Sequence, residues 1–424
     1  MAQGVTPTIA VKQMSLITKL SGADQAYGML IKSKIIYLFG NVTGVASTDG
    51  YLQAIDGTGL IQWSLALDAG QNEIATAATI DSAGNIWVLG SSVTPSAQTP
   101  TPTPTSTPTS TSMPTESPSP SITPTPTLSP AVSPVATPTA LATSLAPTLN
   151  PDSVQVDPAS AVRRDLTSVI LWKVSRSGTL VGTYTVEMKR PVLVRSAIST
   201  PAGIAFTGIL STPTGIAGFY ANSDLNGVIG KPLTIGKTET ELNALVKMGN
   251  GSVAIFGASS ESMAGTKLVG VKDGIISSIA PTGKMGRVIR SSNAKSARSW
   301  QSATSKFFLG GDALTSGKME AVVTKFSSTF LPTWTTRYPA TTPAMTADGV
   351  TSHFAFFSPT SAIPGIKGWK LGNSLTLAFD SKGVLTGAYG LAGLPISIGF
   401  SQDLGLVLLS RGNMGVSIFH ALTR

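Results

Sequence analysis

The residues best able to do chemistry in this chain are basic. Lys284, Arg287, Arg290, Lys295, Arg298 and Lys306 follow one another with no acidic residue between Asp273 and Asp312. Ammonium and guanidinium groups gathered this way could hold phosphate, an acidic glycan or another anionic polymer. The plain alternative is a solvated basic edge. Trp300, inside the run, and Trp369 fall near loops, where an indole can stack on a sugar ring; core packing is the competing role. No GxSxG, P-loop or HExxH motif stands in a suitable setting, and no carboxylates are paired, so no catalytic residue is assigned. The chain has no cysteine and two histidines, His353 and His420, far apart, with no carboxylate cluster in the sequence to complete a metal site. We therefore expect neither a metal nor a cofactor. Four DxxG elements, Asp56–Gly59, Asp81–Gly84, Asp224–Gly227 and Asp380–Gly383, read as capped turns. A calcium loop of the EF-hand kind needs several alternating oxygen ligands, and these offer one Asp each.

Composition narrows the elements that must position such groups. Charged residues make up 12% of 424, against roughly 25% in ordinary soluble domains. No apolar run approaches the roughly 18 residues that cross a bilayer as a helix. A net charge of +9 is mild for this length and is no nucleic-acid signature by itself. Residues 94–151 hold 15 of the chain's 28 prolines, with no aromatic residue, no glycine and a single charge, Glu116. Such a stretch cannot bury enough apolar surface to offset its ordering entropy, and we expect a disordered, partly polyproline II coil. Ser/Thr-rich tracts with Pro resemble the O-glycosylated stalks of exported proteins. That composition points to an extracellular or cell-envelope location. The N-terminal MAQGVTPTIAVKQMSL lacks the pattern of a signal peptide, so the expectation is that an export signal lies outside this chain.

A repeat of about fifty residues runs through the rest. Short apolar strands end at Gly40 (IIYLFG), Gly90 (NIWVLG), Gly208 (GIAFTG), Gly257 (SVAIFG) and Gly310 (SKFFLG), with weaker copies at Ser358 and Ser410. One interval is longer than the others by about the length of the proline-rich tract. Hairpins follow most of them, as in YLQAIDGTGLIQWSL from Tyr51, and a strand rich in small residues precedes each, as in IATAATI from Ile74. Turn residues with strands on either side signal hairpins. Four short strands per unit predict an all-β fold, a seven-bladed β-propeller with four antiparallel strands per blade. The N-terminal TIAVKQMSLITKL, Thr8–Leu20, has no partner in its own unit and should close the last blade as its outer strand. Residues 1–93 would then hold the closing strand, the first blade and the start of the second. Residues 94–151 would be a disordered insertion in blade 2, and residues 152–424 the remainder of the same propeller.

The stretch Asp49–Ser92 resembles bacterial β-propeller repeats related to the SBBP family, and its AIDGTGLIQW portion is similar to the PQQ-type repeat. The resemblance covers about one and a half units and implies an exported propeller; no set of residues here matches a quinone site. In propellers, the loops between the second and third strands share one face with the links between blades. Here that face comprises residues 41–49, 209–216, 258–266, 311–319 and 359–373. Loops on a rigid scaffold are where binding residues concentrate. The function expected is a non-catalytic binding or scaffold module, a monomeric ring contacting a glycan or protein ligand, with no nucleic acid and no membrane span. A glycan hydrolase or lyase with acids at the channel mouth, and a structural envelope component, are the alternatives; fold alone does not choose.

Overall fold

The computed structural model describes residues 8–20, 25–43, 47–94, 163–413 and 415–422. The tract expected to be disordered, 94–151, lies outside these residues except for Thr94. Every regular element among the described residues is a strand. Apolar, β-branched residues run almost without interruption through the second and third strands of each sheet, as in Ile86–Val93 and Leu166–Val174. Both faces of these strands are covered by neighbouring sheets, so the pattern is continuous burial. Outer strands such as Leu180–Glu187 instead alternate exposed and half-buried residues, because one face meets water.

Sheet order and packing define a β-propeller. Successive inner strands, Gln25–Lys32, Glu73–Ile80, Val192–Thr200, Thr240–Lys247, Ser296–Ala303, Met345–Asp348 and Leu394–Ser401, lie against one another, and the last lies against the first. The expectation of seven blades of four antiparallel strands each does not hold. Among the described residues, six sheets are four-stranded blades, and the remaining sheet has six strands and includes parallel pairings. Its extra strands are Ile9–Gln13, parallel to the outer strand Leu385–Leu391, and Ile366–Lys367, parallel to Ile9–Gln13. The closure is corrected with it. Thr8–Leu20 does not form one outer strand. Ser15–Leu20 completes the last blade by pairing antiparallel with Gly415–Ala421, while Ile9–Gln13 crosses to the edge of the six-stranded sheet. An unpaired sheet edge is thereby covered at two places. On either side of residues 95–162, Ile86–Val93 pairs directly with Leu166–Val174.

A recurrent β-bulge explains the glycine repeat. Six inner strands carry one extra residue: Tyr27, Thr76, Arg195, Asn243, Gln301 and Ile396. Opposite five of these bulges the second strand has glycine: Gly40, Gly90, Gly208, Gly257 and Gly311. A Cβ on Gly257 would sit 1.9 Å from the Glu241 carbonyl oxygen, and one on Gly90 would sit 1.6 Å from that of Ile74. The bulged backbone occupies the space, so only glycine fits. In the fifth blade the position belongs to Gly311, not to its neighbour Gly310.

Bulged strands also latch blade to blade. Thr76 Oγ1 donates to the Val194 carbonyl at 2.7 Å, and Asn243 Nδ2 donates to the Trp300 carbonyl at 3.0 Å. At the opposite end of the sheets, Asp caps the hairpin turns as expected; Asp224 Oδ1 accepts from Asn226 N at 2.9 Å and Val228 N at 2.8 Å. The glycines of those turns cover aromatic rings of the preceding blade. Gly178 lies against Trp63, Gly227 against Tyr184 and Gly383 against Trp334.

Candidate functional site

A chain of buried charges spans three consecutive inner strands, on the loop-bearing side of the third, fourth and fifth blades. Arg195 is the bulge residue of the third blade. Its Nε and one terminal nitrogen are shut off from solvent and have no hydrogen-bond partner, although the residue as a whole keeps partial exposure. Burial pulls its pKa down to about 10, and the Glu241 carboxylate opposes that pull. Glu241, on the next inner strand, is ion-paired to Lys272, whose ammonium also lies 3.6 Å from Glu239. Burial would lower the Lys272 pKa, but the two carboxylates more than offset it and the net shift is upward.

On the fifth blade, Arg298 is nearly buried and lays its guanidinium over the Trp300 ring, 4.8 Å from the centroid. One terminal nitrogen donates to Ser291 Oγ at 2.7 Å and the other has no partner. Burial and the neighbouring Arg337 push its pKa down to about 10, against the pull of Asp312 and Glu320. Asp312 is pushed up to about 6 by burial and then by Glu241, with Lys272, Gln301 and Arg298 opposing. Two guanidinium groups thus keep buried donors unpaired within one electrostatic network. An unpaired buried donor costs roughly 1–3 kcal/mol, more when charged. A carboxylate or phosphate would satisfy such donors with charge-assisted hydrogen bonds once local opening admits it to nitrogens that are shut off from solvent here.

The six basic residues singled out in the sequence do not form one patch. Lys284 and Arg287 are exposed in the connection before the outer strand Ile289–Ser291, at the end of the sheets away from the loop-bearing face. Lys306 is at that far end too, where its Nζ donates to the carbonyls of Gly349 at 3.0 Å and Val350 at 2.9 Å. Lys295 is exposed on the loop-bearing side, in a left-handed turn with φ 61°. Arg290 points inward to Asp273 at 3.2 Å. Only Arg298 belongs to the buried network. Trp300 is wholly buried against Phe326, which removes it as a surface for sugar stacking. Trp369 is half-buried, packs on the core of the six-stranded sheet, and donates Nε1 to the Asn373 carbonyl at 2.9 Å.

Sequence reading missed Arg195, Glu241, Lys272 and Asp312. The available signal was the repeat itself: Arg195 and Asn243 stand at equivalent bulge positions of adjacent units. It also missed a carboxylate cluster. Asp49, Asp68 and Glu73, separate in sequence, offer oxygens within 4.8 Å of one another.

No family model matches this chain, and no curated protein matches it. Solved structures similar in fold include BamB from Moraxella catarrhalis, 10% identical with a TM-score of 0.41, covering 96% of this chain and 100% of that one. Sqt1 of Chaetomium thermophilum is 11% identical with a TM-score of 0.46, covering 96% and 98%. The polysaccharide lyase Uly1 is 9% identical with a TM-score of 0.46, covering 94% and 90%. At these levels none carries an argument about function. The class, an all-β propeller, rests on this chain's own sheet order.

Proposed function

We propose that this propeller is a non-catalytic, exported or cell-surface binding module for an acidic glycan, which reaches the inner strands from the loop-bearing face. The observation that carries the reading is Arg195, whose buried Nε and terminal nitrogen lack partners. Arg298, with its own unpaired nitrogen, extends the donor set to the fifth blade. Guanidinium forks match the geometry of a uronate or similar carboxylate. The Ser/Thr/Pro composition of residues 94–151 and the resemblance of Asp49–Ser92 to repeats of exported propellers support the location.

Calorimetric titration with acidic and neutral oligosaccharides tests this reading. Binding of the acidic series alone, weakened by salt and lost in Arg195→Gln, is the expected result. Equal binding of neutral sugars, or unchanged affinity in Arg195→Gln, would overturn it. Release of new reducing ends or unsaturated uronates during the titration would replace binding by catalysis.

A further inference from the structure

A second site lies at the junction of the first and second blades, away from the buried charge network. Asp49 is the second residue of the strand Thr48–Asp56, Asp68 sits in the link between blades, and Glu73 opens the inner strand Glu73–Ile80. Each supplies a carboxylate oxygen within 4.8 Å of the others. Glu73 has no solvent exposure, and its Oε2 has no partner. Asp49 Oδ1 is likewise shut off from solvent and unpartnered. The remaining contacts hold the groups in place. Glu73 Oε1 accepts from Gln71 N at 3.0 Å, Asp49 Oδ2 from Ser47 Oγ at 3.0 Å, and Asp68 Oδ1 from Gly70 N at 2.6 Å. None of the three is ion-paired with a described residue.

Buried carboxylates without partners are retained where they are protonated or hold a metal. We propose that Asp49, Asp68 and Glu73 bind one calcium ion, which links the first two blades at their loop-bearing end. Three carboxylate oxygens from separate segments, completed by water, suit a hard cation. Calcium–oxygen distances of about 2.3–2.6 Å place opposed ligands up to about 5 Å apart, which accommodates this cluster without closing it. Magnesium, at about 2.0–2.1 Å and with a near-ideal octahedron, would need the three segments drawn together. Ser92, paired with Glu73 in the ladder, also keeps a buried hydroxyl unpartnered. Nearby, Asn41 Oδ1 accepts from Ala75 N at 2.7 Å and Asn72 Oδ1 from Thr48 N at 2.9 Å, so the ion would join an existing set of blade-to-blade ties.

The test uses the full chain, stripped with chelator and desalted, then titrated with calcium or magnesium while heat and thermal midpoint are recorded. One calcium per chain, with a midpoint that rises with calcium concentration as a single-site ligand requires, is the expected result. Asp68 is exposed and its charge repels Glu73, so Asp68→Asn should hold or raise the ion-free midpoint while weakening calcium binding by about tenfold or more. Glu73→Gln should abolish the calcium response; should it fail to fold, Asp68→Asn decides alone. No calcium heat with identical stripped and loaded midpoints would overturn the proposal. So would a full response in Asp68→Asn, or a saturable response to magnesium in place of calcium.

Discussion

Arg290 holds its guanidinium 3.2 Å from the carboxylate of Asp273, and neither side chain meets water appreciably. Asp273 also accepts from the backbone N–H of Val269 at 2.9 Å and of Gly270 at 2.8 Å. The pair therefore fixes the long loop that enters the third strand of the fourth blade. It also consumes a basic residue that the sequence offers as a ligand for anions.

Truncating Arg290 should strand a buried carboxylate. Arg290→Ala is expected to lower unfolding free energy by about 3–5 kcal/mol. Arg287→Ser, on the exposed far end, should change it by less than about 0.5 kcal/mol. Urea unfolding of the two variants makes the comparison. Salt-sensitive binding of acidic glycan should survive Arg287→Ser.

The glycine opposite five of the bulges makes a sharper prediction. Gly257→Ala would drive its methyl carbon into the Glu241 carbonyl oxygen, 1.9 Å away. Backbone must shift, so the loss should exceed about 3 kcal/mol, and glycan affinity should fall because the shift moves Glu241 beside Arg195. Gly265→Ala is the control: its φ is +75° but the space around it is open, so only the left-handed penalty of about 1–2 kcal/mol applies. Denaturant midpoints of both variants check the difference.

Much of the ring was legible in the sequence because its signals are local. Glycine-ended strands, Asp-capped turns and small inner residues each fall within a dozen positions. The closing strand was half legible. Ser15–Leu20 follows the antiparallel pattern expected of it, but nothing local tells Ile9–Gln13 to cross to a different sheet and pair in parallel. The candidate site was mostly illegible. Lys284 and Arg298 are close in sequence and fall at opposite ends of the sheets, while Arg195 and Glu241, on adjacent blades, interact. A run of like charges along the chain crosses both ends of every blade it traverses.

Stability should depend on pH in two opposed windows in the ion-free chain. Glu73 and Asp312, with folded pKa values of about 7 and about 6, hold protons that the unfolded chain has already released. Stability therefore falls as pH rises from roughly 4 to 7. Glu261 behaves oppositely. Burial would raise its pKa, but the N–H groups of Lys237, Glu239 and Thr238 and the Thr240 hydroxyl hold it at about 2. Its contribution is present above roughly pH 4 and is lost as pH falls toward 2. Thermal midpoints across pH should show the upper limb flattened by Glu73→Gln and Asp312→Asn, and the acid limb flattened by Glu261→Gln.

Deleting the N-terminal strands should have graded effects. Among the described residues, removal of residues 1–13 takes away the strand that pairs in parallel with both Ile366–Lys367 and Leu385–Leu391, and should raise amide exchange in both. Removal of residues 1–20 also exposes the edge of Gly415–Ala421 and should lower the thermal midpoint of the whole ring. Hydrogen exchange followed by mass spectrometry separates the two.

The same N-terminal segment gives the seam a mechanical character that a single closing strand would lack. Tension applied at Ile9 meets the parallel ladders on Ile366–Lys367 and Leu385–Leu391 first, and only after those yield does it reach the ladder on Gly415–Ala421. The seam is a two-stage latch. Partial peeling of the first stage leaves the last blade complete, so the segment can re-zip before the ring opens.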